Sequence, residues 1–332
     1  MDIKKVYLVL FVLLSHITYS QDGIPVYSDY LSDNLYLLHP SMAGAATSNQ
    51  IRLTARKQWF DQNEAPNMQT LNFNARVGER SGLGAIFFND QNGYHSQTGA
   101  YLTYAHHIMF SRTEVDLNQL SFGLSFGLIQ SRLDETQFDP LDFDPIIAGI
   151  IQSSSYFNVD AGVSYNFLNF SGHFTVKNII FQSRELNSAD YESSNQRKFI
   201  ISGAYAFANY GSSWTYEPSL MYQIQERTKE QLIDVNGKVY RAMDFGKLWG
   251  GLSYRRSFDG AEYLNGIEVE NQKLQYLTAI LGVSFNKFLF SYTYSSQMGN
   301  VKFSNGSFHQ ITLGFDFLGG REPYDCNCPA IN

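Results

Sequence analysis

The sequence predicts an all-β protein, a transmembrane antiparallel outer-membrane β-barrel of about 14 strands, on three observations. Leu120, Phe122, Leu124, Phe126 and Leu128 alternate without exception with Ser121, Gly123, Ser125 and Gly127. The same two-residue period returns along nearly the whole chain, and the connections between the alternating stretches are short and long in turn. Successive side chains of a strand point to opposite faces, so a strict period of two means two environments across the sheet. In a soluble sandwich the greasy face would pack on a second sheet; in an outer-membrane barrel it meets lipid while the small polar face lines the interior.

The chain opens with Lys4 and Lys5, an apolar run from Val6 to Leu14, and Thr18, Tyr19 and Ser20 before Gln21. This reads as a secretory signal peptide over residues 1–20: small residues stand three and one before the cut, and the run is too short to span a bilayer. No Cys follows the cut to be lipidated, so the mature chain is expected to begin near Gln21. No later stretch approaches the roughly 18 consecutive apolar residues of a spanning helix. Aromatic residues make up 15% of the chain, a composition that suits pleated surfaces better than helices. The formal charge is −7, and removing Asp2, Lys4 and Lys5, together +1, leaves −8. That balance speaks against nucleic acid, which needs a basic face.

A segment over 21–48 precedes the first strand. Ile51, Leu53 and Ala55 then alternate with Arg52, Thr54 and Arg56, and Leu71, Phe73, Ala75 and Val77 with Thr70, Asn72, Asn74 and Arg76. A third strand covers about Leu83 to Asn89, and a fourth has Ala100, Leu102, Tyr104 and Ile108 on one side. The Leu120–Leu128 stretch is the fifth. In the sixth, Phe157, Val159, Ala161, Val163, Tyr165 and Phe167 alternate with polar or small residues. Phe170, Phe174 and Val176 mark the seventh, Phe199, Ile201, Tyr205 and Phe207 the eighth, and Trp214, Tyr216, Leu220, Tyr222 and Ile224 the ninth. The tenth, near Gln231 to Arg241, is the least regular. Leu248, Leu252 and Tyr254 give the eleventh; Leu277, Ala279, Leu281, Val283 and Phe285 the twelfth; Phe288, Phe290, Tyr292 and Tyr294 the thirteenth. Ile311, Leu313, Phe315 and Phe317 close the barrel region at 49–317, leaving a tail over 318–332.

With the amino end in the periplasm, the even-to-odd connections are periplasmic, and they include the short ones at Gly78 to Ser81, Leu168 to Asn169 and Asn286 to Lys287. The longest connections, Ser131 to Ser155, Ile179 to Arg197 and Phe258 to Gln275, are then external. Short periplasmic turns and long outer loops are the pattern of this class. Arg76, Asp160, Lys177, Glu217 and Asp316 all fall on polar faces. A Lys or Arg facing lipid at mid-depth would cost about 2–4 kcal/mol.

Candidate chemistry is sparse. His106 and His107 are adjacent, point opposite ways on a strand and read as barrel-end polar residues. Asp134, Glu135, Asp139, Asp142 and Asp144 form an acidic loop without the ordered spacing or turn glycine of a calcium loop, so a solvated loop is expected. His173 reads as a satisfied lumen histidine, since nothing in the sequence sets it beside a particular Ser and carboxylate. Cys326 and Cys328 leave three readings open: a disulfide with a partner, a labile redox pair, or no function. No catalytic, cofactor-binding or metal residue is assigned.

Tyr27-Ser28-Asp29-Tyr30, His39-Pro40-Ser41-Met42-Ala43-Gly44, Arg56-Lys57-Gln58-Trp59 with Ala65-Pro66, Gly82-Leu83-Gly84 leading to Asp90-Gln91-Asn92-Gly93, and Tyr104-Ala105-His106 form a pattern that resembles the PorP/SprF family of type IX secretion membrane proteins. Glu217-Pro218-Ser219 and Trp249-Gly250-Gly251-Leu252-Ser253-Tyr254-Arg255 extend the resemblance over the mature chain. Family members usually carry Asn-Pro-Ala where this chain has His39-Pro40-Ser41. The resemblance implies a non-enzymatic barrel in the outer membrane of a Gram-negative bacterium. It would contact outer-membrane lipid and work with the periplasmic ring and lipoprotein components of the type IX machine. Its cargo would be secreted, adhesin-like proteins, including those of gliding motility. Partner contacts are expected at Tyr27, Tyr30, Pro40, Gly44, Arg56 and Trp59; the Tyr27 to Gly44 segment, on the periplasmic side, either plugs the lumen or meets a partner, it and the periplasmic tail from Leu318 to Asn332 are the expected machine-facing contacts, and the acidic outer loop is the expected cargo side. A passive solute channel is the alternative, and a barrel hydrolase a third reading.

Overall fold

The computed structural model describes residues 29–58, 65–111, 115–137, 149–180, 197–209, 211–265, 268–298, 307–318 and 323–332. Its strands are β1 Asn49–Gln58, β2 Asn67–Val77, β3 Ser81–Asn92, β4 His95–Met109, β5 Asn118–Asp134, β6 Ile151–Phe167 and β7 Phe170–Lys177. They continue with β8 Lys198–Tyr205, β9 Trp214–Gln225, β10 Gln231–Met243, β11 Gly246–Asn265, β12 Glu268–Phe285, β13 Phe288–Met298 and β14 Phe308–Phe317. Each strand pairs antiparallel with its sequence neighbour, and β1 pairs with β14 from Asn49↔Phe317 to Gln58↔Phe308 to close the barrel. Closure removes the unpaired edges that an open sheet would present, which lipid cannot satisfy.

The two-residue period sorts the faces as expected. Phe126, Leu128, Phe157 and Leu281 point outward and are among the most exposed large apolar side chains, Leu281 at 69%. Ser121, Ser125, Asn158, Asp160, Glu217 and Asp234 point inward and are buried. Apolar outside and polar inside inverts the soluble pattern and identifies the outer face as a lipid-facing one.

The connections 78–80, 168–169, 244–245 and 286–287 are tight turns at one end of the barrel, here the short-turn end. Leu168 and Asn286 turn with φ of 48° and 52°, in the left-handed region. The opposite, long-loop end carries the connections after β1, β5, β7 and β13; of the acidic stretch there, Asp139, Asp142 and Asp144 lie outside the described residues.

Two expectations change. Within Phe258 to Gln275, residues 258–265 and 268–275 are strand rather than loop. β11 and β12 pair out to Asn265↔Glu268 through a register shift between Arg256 and Gly260, so this hairpin outreaches its neighbours. Asp259-Gly260 breaks the alternation that would have revealed it. β10 is fully regular, pairing from Gln231 to Arg241 with β9 and from Leu232 to Met243 with β11.

Candidate functional site: the plugged lumen

Residues 29–46 run inside the barrel in three short 3₁₀ turns, Asp29–Ser32, Leu35–Leu37 and Pro40–Met42. Pro40 opens the third turn, where a missing N–H costs nothing. The Asn34 amide donates to Asp29 Oδ2 at 2.7 Å, and Ser32 Oγ donates to the Asp29 carbonyl at 2.6 Å, which winds the first turn on itself.

The first half of this plug meets the β9–β11 wall and β14 through charge. Tyr30 donates to Asp234 Oδ2 at 2.6 Å, and Arg255 grips the same carboxylate with Nε and Nη2 at 2.6 and 2.5 Å. Lys238 Nζ lies 2.5 Å from Asp33 and 2.7 Å from Glu217, and Tyr240 donates to Asp33 at 2.8 Å. Thr312 Oγ1 donates to Asp29 Oδ1 at 2.7 Å. Tyr30 and Leu31 pack on Met221, Leu232, Trp249 and Ile280.

The second half meets the β2–β8 wall mainly through neutral groups, with the Lys177 ammonium donating to the Leu37 carbonyl at 3.2 Å. Tyr36 donates to Thr103 at 2.8 Å. His39 joins Thr175 and Ser202, each at 2.8 Å, and its ring stacks on His173 with centroids 4.8 Å apart. Ser41 and Ser164 share a hydrogen bond of 2.5 Å, and Ser164 also meets His173 Nδ1 at 2.7 Å. His107 donates from Nε2 to the Ala43 carbonyl at 3.0 Å while its Nδ1 faces Ser121 at 2.8 Å. Burial pushes the Tyr30 and Tyr36 hydroxyls up from their ordinary range. Burial, with the positive charge of His173 and Lys177 nearby, pushes His39 well below its ordinary value.

Glycines on the lumen face let the backbone of the plug touch the wall. A β-carbon at Gly82 would sit 2.0 Å from the Ala43 carbonyl oxygen, and one at Gly123 only 2.2 Å from the Pro40 carbonyl carbon and Ser41 N. One at Gly84 would strike the Tyr36 hydroxyl at 2.3 Å. The small face of β5 is thus the bed of the plug. Gly44 leaves that bed with φ +65° and donates to Asn74 Oδ1 at 3.1 Å.

The carboxyl-terminal tail seals the short-turn end. Thr47 N donates to the Ile331 carbonyl, Asp325 N to the Val115 carbonyl and Asn327 N to Asn169 Oδ1, each at 2.8 Å. Tyr324 and Ile331 pack on Tyr36, Met42 and Ala43, with Cys326 and Cys328 joined to each other beside them. Above the plug, toward the long-loop end, a cavity of 280 Å³ remains between Leu37, Pro40, Phe88, Tyr101, Ile129 and Ile200.

Of the residues singled out in the sequence, Tyr30, Pro40 and Gly44 are brought together inside the lumen, bonded to the barrel's own wall. Arg56 is also in the lumen but apart from them, its guanidinium 5.3 Å over the Phe308 ring and Nη2 donating to Met68 Sδ at 3.7 Å. Tyr27 and Trp59 lie outside the described residues. His107, read as a barrel-end group, is fully buried against the plug; the correction follows from Ala43 descending to its level. His173 lies in the lumen as expected, with Ser164 on its Nδ1, but it is not fully satisfied, since its buried Nε2 has no hydrogen-bond partner among the described residues. Asp134 accepts from Thr136, and Glu135 from Gln152. Among the described residues no three His, Cys, Asp or Glu side chains gather to hold a metal. The glycine bed was overlooked, although Gly82, Gly84, Gly123 and Gly162 all fall on polar faces in the sequence.

Fold and site together define an outer-membrane β-barrel whose bore is filled by its own amino-terminal segment. The barrel resembles the TodX monoaromatic hydrocarbon channel (a deltaS2 mutant) at 10% identity and TM-score 0.50, covering 86% of this chain and 94% of that one. A Pseudomonas aeruginosa FadL homologue aligns at 9% identity and TM-score 0.44, over 82% and 89% of the two chains. At such identities the likeness concerns the fold alone. The chain belongs to the PorP/SprF family of type IX secretion system membrane proteins, whose model matches residues 19–315. No curated protein matches it in sequence.

Proposed function

We propose that the protein is a non-enzymatic partner in the outer membrane of a Gram-negative bacterium, supporting secretion or surface anchoring of cargo proteins such as large adhesins. Family membership supplies the machine, and the filled lumen carries the rest of the reading. A bore occupied by residues 29–46 of its own chain leaves the two ends as the working surfaces. With Thr47 leaving the lumen at the short-turn end and the described tail, residues 323–332, seated there, that end would face the periplasmic ring and lipoprotein components. Tyr30, Pro40 and Gly44 would reach such a partner only when the plug leaves its bed; the tail is already at the mouth. The long-loop end, with its acidic stretch, then faces the cargo.

The test compares secreted and surface-attached proteins with and without the gene. Loss of one large adhesin with other substrates retained supports a dedicated partner; loss of all type IX cargo marks a core component of the machine. An unchanged surface would overturn the secretion reading. A passive solute channel draws support from the 280 Å³ cavity above the plug. Steady conductance of the unmodified protein in a planar bilayer would favour it over the closed, partner-binding barrel.

A further inference from the structure

The outer face of the barrel ends differently on its two sides. On β9 to β14 the apolar belt finishes in a tyrosine girdle: Tyr222 donates to Gln231, Tyr254 donates to Gln275, and Tyr292 bonds to His309. Amphipathic rings of this kind are the usual boundary between hydrocarbon and water. On β2 to β6 no girdle intervenes. The last apolar rung is Phe87, Ala100, Leu128 and Phe157, which are direct cross-strand partners.

The next outward rung is Gln69, Asn89, Thr98, Gln130 and Ser155, and the one after it is Asn67, Gln91, Ser96, Arg132 and Ser153. At about 3.3 Å per residue these rungs stand roughly 7 and 13 Å along the strand beyond the last apolar one. Nine of the ten side chains are neutral amides or hydroxyls, and the single cation, Arg132, has Asp134 at 3.4 Å. Thr98 donates to Asn89 at 3.0 Å and Gln130 to Ser153 at 3.1 Å, so the surface is ordered by its own hydrogen bonds. A shallow groove of 540 Å³ crosses it, with Tyr94 at its upper edge.

We propose that this face binds the neutral oligosaccharide of an outer-leaflet glycolipid whose acyl chains lie on the apolar rungs beneath. Continuity with the lipid belt fixes the level, and paired donors and acceptors without net charge fit hydroxyl-rich sugar; a phosphate site would need a cluster of cations. The assignment rests on the orientation proposed above, with the long-loop end outside.

The full chain is placed in phosphatidylcholine nanodiscs doped with a glycolipid bearing an uncharged oligosaccharide on a diacylglycerol anchor, or with the same anchor without its sugar, and retained lipid is counted by mass spectrometry. The sugar-bearing form is expected to be retained at least tenfold better. Thr98→Val with Gln130→Leu, which extends the apolar belt without touching the lumen, should abolish that difference; Gln91→Ala gives a milder loss and serves if the double variant does not fold. Equal retention of the two lipids, or a difference unmoved by these variants, overturns the proposal. So does equally tight binding of the same uncharged oligosaccharide free in solution, which would assign the face to soluble sugar. Labelling of Tyr94→Cys on intact cells tests the orientation separately. Without labelling the orientation falls and the proposal with it, whereas labelling together with equal retention overturns the proposal alone.

Discussion

Residues 29–34 meet the β9–β11 wall through ionised groups, whereas residues 36–44 meet the β2–β8 wall mainly through neutral hydrogen bonds and bare backbone, with the Lys177 ammonium on the Leu37 carbonyl as a charged contact. The difference decides what each wall is left with when the plug departs. Arg255 keeps Asp234, and Lys238 keeps Glu217, because both pairs are made within the wall itself. Water entering the lumen would hydrate those pairs, so the first half has little that only the plug can supply. On the other wall the glycine bed becomes a void and Thr175 loses His39, while Ser164 keeps His173 and His107 keeps Ser121. The second half is therefore the true seat, and the first half a charged latch.

The largest expected effect comes from breaking the latch inside the wall. Asp234→Ala leaves the Arg255 guanidinium buried and unpaired, a cost of about 3–5 kcal/mol, read as a lower urea midpoint of the heat-modifiable barrel. Asp234→Leu with Arg255→Met should recover most of that loss; failure to recover would mean that the plug depends on the charge itself. Next comes the seat. Gly123→Val places methyl groups where Pro40 and Ser41 already lie, with overpacking of about 1–3 kcal/mol. The barrel should still fold, and single-channel recording should show steady conductance absent from the parent.

A pH titration separates the halves more finely. Burial holds the folded His39 well below 6.5, so the released segment takes up the proton first as pH falls. Docking is then fully stable above the ordinary histidine value and weakens as pH drops through it toward the lower folded value, by up to about 1.4 kcal/mol per pH unit. Channel opening should rise between neutral pH and mild acid and lose that rise in His39→Gln. The smallest effect belongs to Tyr36→Phe, about 1 kcal/mol for one hydrogen bond, because Thr103 retains Ser125 at 2.6 Å. A loss of several kcal/mol there would shift the seat from backbone contact to this hydroxyl.

The strands were legible in the sequence because lipid outside and plug inside enforce a period of two over nearly every stretch. The β11–β12 hairpin was not, since beyond the rim neither environment acts; Asn265-Gly266 was the available turn signal there. The plug could be placed before β1 but not docked, because a period shows which residues face inward and not which of them touch. Glycine on a lumen face was the hint. Small side chains at Gly82, Gly84 and Gly123 mean that something else comes close, and Ala43 to Ala46 is a run of small buried residues suited to it. His107 escaped for the same reason, its neighbour being a carbonyl distant in sequence.

The order of parts along the chain has a consequence for how the molecule is made. The Asp29–Thr312 bond spans 283 residues and the Thr47–Ile331 bond 284. Between them the seam joins β1 to β14, the last pair available as the chain is read. A filler seated backbone against backbone on glycine fits most readily while the cylinder is still open, so the staves are expected to rise around the cork. The tail, reaching Tyr36 and Met42 only from beneath, is the lid set on last.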